Sequence, residues 1–118
     1  MIRLRRIAPE LPVKNLESSL NYYQEKLGFN VALKMPSGDY AIVERDDIAI
    51  HLFQRSGDGA GSMAIHVFVD DLEGLHEELS GRGAQITHDI ERKPWGNRDF
   101  RVRDDAGNEI KFTEPLED

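Results

Sequence analysis

No cysteine occurs in the 118 residues, which excludes disulfide frameworks, thiolate metal sites and cysteine nucleophiles together. Tryptophan occurs once, at Trp95, and no stretch approaches the roughly 20 apolar residues needed to cross a bilayer, so no membrane partner is expected. Positive charge is the scarcer sign. Against 22 aspartates and glutamates stand 15 lysines and arginines, a formal charge of -7. Nucleic acid is a poor partner for such a chain, because phosphate binding needs a net cationic face. A cationic small molecule would be steered favourably, although an acidic surface also serves solubility alone. The start, Met1-Ile2-Arg3-Leu4-Arg5-Arg6-Ile7, is basic but lacks the apolar run of a signal peptide, so it reads as a first strand and the chain as cytoplasmic.

What is present suits one soluble domain over residues 1–118, with 39% hydrophobic and 31% charged residues. A weak internal repeat divides it into a first copy over about 1–57 and a second over about 61–116. Each copy opens with an extended run, Leu11-Pro12-Val13 or Ala64-Ile65-His66-Val67-Phe68-Val69, and continues into an amphipathic stretch. Leu16, Leu20, Tyr23 and Leu27 recur at three- and four-residue steps, as do Leu72, Leu75 and Leu79, which predicts two helices. Asn15 and Asp70 or Asp71 suit their N-caps, and Gly28 and Gly81 or Gly83 their left-handed stops. Three strand-like segments follow each helix, at roughly 29–35, 39–45 and 47–53, then 85–90, 98–104 and 108–114. The order is therefore β-α-β-β-β, twice. The glycine-rich segment Ser56-Gly57-Asp58-Gly59-Ala60-Gly61-Ser62 suits a flexible linker.

Strand alternation separates two faces. Ile48, Ile50, Leu52, Ile65, Val67, Val69, Ile110 and Phe112 form an aliphatic side that belongs beneath the helices. His51, Phe53, His66, Phe68, Glu109 and Lys111 fall on the other side, a mixture that suits a lined concavity better than a core. The charged segments Glu44-Arg45-Asp46-Asp47 and Arg101-Val102-Arg103-Asp104-Asp105 sit at matching hairpins and read as solvated turns, Tyr22 and Tyr23 as helix packing, and His76 as a solvent-facing helix residue. No serine or threonine lies in a nucleophile motif, and the carboxylates are too numerous for an acid-base pair to stand out. Trp95 lies between Pro94 and Gly96, one rigid and one permissive backbone position, which can hold a large flat ring at the end of a strand. Such a ring suits stacking and cation contacts, or simple packing over an open end of the sheet.

The doubled unit, the helix with Tyr22-Tyr23 and Leu27-Gly28-Phe29, and the run from Lys93-Pro94-Trp95-Gly96 through Arg98-Asp99-Phe100 to Arg103-Asp104-Asp105-Ala106-Gly107-Asn108 resemble the vicinal-oxygen-chelate superfamily of glyoxalases, dioxygenases and bleomycin-resistance proteins. The likeness covers nearly the whole chain and is nearest to the bleomycin-resistance group. Asp99 stands where that group has glutamate, Asp105 precedes Ala106 where proline is usual, and Asn97 is one extra residue.

The resemblance implies an α+β fold of two βαβββ repeats forming cupped mixed sheets. It also implies a homodimer whose two grooves, each lined by both chains, sequester a bulky, flat, cationic bleomycin-type ligand without modifying it. Trp95, His51, Phe53, His66, Phe68, Arg101 and Lys111 are the expected ligand contacts. The superfamily's metal-ligand positions carry over to Ala8, His51, Ala64 and Lys111, and only His51 among these can bind a metal. No metal or other cofactor and no catalytic residue is therefore expected, and the chain leans away from being an enzyme. The competing readings are a glyoxalase- or dioxygenase-type enzyme with a displaced ligand set of Glu10, His51, His66 and Glu109, and a binding module for another small ligand.

Overall fold

The computed structural model describes residues 1–115. The expected end of the second repeat, at 116, lies outside them. Ten elements follow one another: β1 (Glu10–Val13), α1 (Leu16–Glu25), β2 (Asn30–Lys34), β3 (Tyr40–Arg45), β4 (Ile48–Gln54), β5 (Ala64–Phe68), α2 (Leu72–Arg82), β6 (Gln85–Arg92), β7 (Arg98–Arg103) and β8 (Glu109–Thr113). This is the βαβββ order in duplicate. Each repeat makes its own four-stranded mixed sheet, ordered β1-β4-β3-β2 and β5-β8-β7-β6, with one parallel pair, β1·β4 or β5·β8, at an edge.

The helices form where their caps allow. Asn15 accepts from the Ser18 amide and Asp71 from the Gly74 amide, and Gly83, in the left-handed region at φ 82°, closes α2 by donating to Leu79 and Ser80. Leu16, Leu20 and Tyr23 of α1 and Leu72 and Leu79 of α2 are buried with Ala41, Val43, Ile50, Leu52, Phe100, Val102, Ile110 and Phe112 of the sheets in one apolar cluster. The opposite sheet faces are left open. In its shortest dimension the molecule measures 26 Å, about the thickness of one helix layer on one sheet layer.

Several expectations change. Met1–Ile7 is not the first strand: Met1, Ile2, Leu4 and Ile7 are exposed and pairing begins at Glu10. Pro9 explains the boundary, since its carbonyl accepts from the His51 amide while it has no N–H to extend the ladder. The linker is pinned at its end. Gly61, at φ 79°, donates to the Pro12 carbonyl over 3.0 Å, and a Cβ there would stand 2.0 Å from the Ala106 oxygen.

The charged hairpins are not both solvated. Asp46 and Asp47 are exposed, but Asp104 is only 1% exposed and accepts from the amides of Ala106, Gly107 and Asn108, from Asn108 Nδ2 and from Tyr23 Oη. Its five-residue turn, Asp104–Asn108, reaches α1, where Asp105 accepts from Ser18 and Ser19. The matching β3–β4 turn has only two residues, Asp46 and Asp47. Near it a cleft of about 810 Å³ remains between the repeats, floored by Phe29, Ile48, Val67 and Phe112. His76 is partly buried edge-on against Phe100, with ring centroids 5.0 Å apart, rather than turned wholly to solvent.

Candidate functional site

The expected ligand contacts separate into two sets on the open faces. His51 and Phe53 lie on β4 of the first sheet, while His66 and Phe68 on β5, Lys111 on β8 and Arg101 on β7 belong to the second. Trp95 stands beyond the second sheet in the β6–β7 loop, 67% exposed. Its loop is built to hold it out. The Lys93 amide donates to Asn97 over 2.8 Å and the Gly96 amide to Lys93 over 2.9 Å, with Gly96 at φ 107°, a backbone state suited to glycine. Arg92 Nη1 reaches the Gly96 carbonyl at 2.6 Å, and Arg92, Arg98 and Glu114 share a depression of about 460 Å³ with the indole. Glu73 and Glu114 both bond the Arg98 guanidinium, which pushes its pKa up and draws the Glu114 carboxyl below its ordinary value.

On the first sheet, alternation identified His51 but not its hydroxyl neighbour. Tyr40 Oη donates to Glu10 Oε2 at 2.7 Å and lies 2.6 Å from His51 Nδ1, with the two rings edge to face. The bond to Glu10 pushes the Tyr40 phenol above its ordinary pKa. A phenol has one proton. With that proton given to Glu10, the His51 contact requires Nδ1–H to donate to Tyr40, which leaves Nε2 of the neutral ring as an acceptor.

On the second sheet, register places His66, Lys111, Arg101 and His88 in one row across β5, β8, β7 and β6. Lys111 Nζ and Arg101 Nη1 each stand 3.8 Å from the Glu109 carboxylate. Phe68, 63% exposed, lies beside His66 with ring centroids 6.0 Å apart. Two buried polar atoms of this sheet, Arg101 Nε and Thr113 Oγ1, have no hydrogen-bond partner among the described residues. Thr113 gave no signal in the sequence, because a missing partner is a property of three-dimensional packing.

The superfamily's metal does not fit these residues. Ala8 and Ala64 offer no donor, and the Lys111 ammonium would repel a divalent cation. The displaced set fares no better within one chain, since Glu10 and His51 lie on the first sheet and His66 and Glu109 on the second. Among the described residues no three histidine or carboxylate side chains are grouped to hold an ion.

Known proteins give this geometry a context. A sequence profile of the "Glyoxalase/Bleomycin resistance protein/Dioxygenase superfamily" matches residues 3–112. The bleomycin resistance protein of Geobacillus stearothermophilus is 26% identical over 129 aligned residues, covering 92% of this chain and 95% of that one; that of Staphylococcus aureus strain MRSA252 is equally similar. Among solved structures, the bleomycin-binding protein of the bleomycin-producing Streptomyces verticillus, complexed with copper(II)-bleomycin, superposes with a TM-score of 0.83 at 26% identity, covering 98% of this chain and all (100%) of that one. A bleomycin resistance determinant encoded on the transposon Tn5 has the same fold, with a TM-score of 0.85 at 22% identity over 97% of this chain and 100% of that one. The chain therefore belongs to the glyoxalase/bleomycin resistance protein/dioxygenase superfamily, and the proteins similar to it include bleomycin resistance and bleomycin-binding proteins.

Proposed function

We propose that the protein protects by sequestration: it binds a bleomycin-type antibiotic and leaves it chemically unaltered. The observation that carries this reading is the exposure of two aromatic rings, Phe68 on the second sheet's open face and Trp95 beyond that sheet in the β6–β7 loop. Flat exposed rings stack well against an aromatic, cationic ligand.

In this reading two chains associate about a two-fold axis, so that the first sheet's face in one chain meets the second sheet's face in the other. Two equivalent grooves result. Each groove then combines His51, Phe53 and Glu10 from one protomer with His66, Phe68, Arg101, Lys111 and Trp95 from its partner. The chain's acidic excess offsets positive charge on the ligand, so affinity should fall as salt is added. Sequestration needs affinity and no reaction, which accords with alanine and lysine at the superfamily's metal positions. The cytoplasm, where such a drug would meet its target, is the place assigned to it.

The test is a calorimetric titration of the protein with metal-free bleomycin, followed by recovery of the drug and its mass. Saturable binding at one drug per chain, with the drug returned unchanged, is the expected result. A recovered drug of altered mass would replace sequestration by catalysis.

A further inference from the structure

We propose that the open face of the second sheet contains an oxyanion subsite, formed by Arg101, Lys111 and Thr113, that takes a carboxylate, phosphate or sulfate group of a small molecule. It goes beyond the reading above and rests on it only in taking this face as the binding surface.

Arg101 and Lys111 face each other across β7 and β8, and Thr113 follows Lys111 on the same side of β8. Arg101 Nε is buried without a partner among the described residues, as is the hydroxyl of Thr113, itself only 1% exposed. Folded proteins leave few buried polar atoms unpaired, and two on one face of the same sheet call for an acceptor. The nearby carboxylates do not supply it. Glu109 stands 3.8 Å from both Arg101 Nη1 and Lys111 Nζ, beyond hydrogen-bond reach, and Asp99, the cross-strand neighbour of Thr113, bonds neither Arg101 Nε nor the Thr113 hydroxyl.

Charge then selects the acceptor. Arg101, Lys111 and Lys93 set against Glu109 and Asp99 leave a local excess of one positive charge, in a chain whose overall charge is -7. A guanidinium N–H, an ammonium and a hydroxyl on one face of the sheet favour an anion with two or more oxygens over a neutral carbonyl. On the first sheet, Glu10 and the His51 acceptor have the opposite preference. A ligand spanning both faces would thus carry cationic or donor groups at one end and an oxyanion at the other.

The test follows the Arg101 Nε–H resonance of the full-length chain by nuclear magnetic resonance while acetate, inorganic phosphate or sulfate is added, with chloride as the ionic-strength control. A saturable shift with at least one oxyanion is expected, and the anion that gives it identifies the group. Thr113→Val should weaken that anion about tenfold without lowering the melting temperature, because the lost hydroxyl bonds nothing in the protein. Lys111→Gln should weaken it at least as much. Shifts no different from those with chloride, or saturation unchanged in both variants, would overturn the subsite. A parallel titration with bleomycin keeps the two ideas apart. Drug binding without any oxyanion response defeats the subsite and leaves sequestration standing, whereas an oxyanion response without drug binding does the reverse.

Discussion

Arg45 holds Glu78 through both arms of its guanidinium, Nη1 to Oε2 at 2.9 Å and Nη2 to Oε1 at 2.7 Å, and so ties the end of β3 to α2 across the two repeats. Arg45 also donates to the Leu27 carbonyl, and Arg82 adds a second bond to Glu78. The Arg45 bond is the main reason the Glu78 carboxyl sits below its ordinary value of 4.5. A carboxyl with a depressed folded pKa contributes stability that is present above its unfolded value and lost as pH falls through the folded one. Glu78→Gln should therefore lower unfolding free energy by about 0.5–1 kcal/mol at about pH 7, a modest figure because the pair is partly solvated. In urea unfolding the gap between wild type and variant should close on acidification. A gap that grows in acid would show that the ion pair is not its source.

Two glycines should respond oppositely to alanine. At Gly61, the positive φ and the Ala106 oxygen, which would stand 2.0 Å from the added methyl, predict a loss of roughly 2–3 kcal/mol, since linker and turn must both shift. At Gly81, inside α2, the added methyl meets open space and should stabilise by about 0.5–1 kcal/mol through helix propensity. Chemical denaturation of both variants checks the pair, and an unchanged Gly61→Ala would contradict the pinned linker.

The Glu10–Tyr40–His51 chain makes a spectroscopic prediction. In the neutral ring, His51 should be the Nδ1–H tautomer, with a nitrogen-15 shift at Nε2 typical of an unprotonated nitrogen. Tyr40→Phe should relax this preference. The same tautomer mixture in wild type and variant would show that the hydroxyl does not orient the ring.

Self-association follows from the proposed groove. Sedimentation should give about twice the 13.4 kDa chain mass at the concentrations used for binding, with two drug molecules per dimer. A monomer that binds the drug with full affinity would rule out a groove shared between chains.

Much of the fold was legible because it depends on periodicity. The leucine steps of both helices, the alternation of Ile50 and Leu52 with His51 and Phe53, and the caps Asn15 and Asp71 are local patterns that the packed chain preserves. The errors arose where long-range pairing decides. Met1–Ile7 has strand-like composition but no partner strand among the described residues, and Asp104 resembles a surface turn residue until Tyr23 and Asn108 enclose it. The placement of the candidate residues was half legible for the same reason. Parity along β4, β5 and β8 assigned His51, Phe68 and Lys111 to the open faces, whereas the approach of Tyr40 to His51 and the unpaired atoms of Arg101 and Thr113 depend on neighbouring strands.

The central claim is that the exposed Trp95 belongs to a drug-binding surface, and calorimetry on wild type beside Trp95→Ala tests it most directly. The account predicts one bleomycin per chain for wild type and an affinity at least tenfold weaker for the variant, equivalent to about 1.4 kcal/mol, with the fold intact because the ring packs against little. No heat at high micromolar drug, or equal affinity in both proteins, would contradict it.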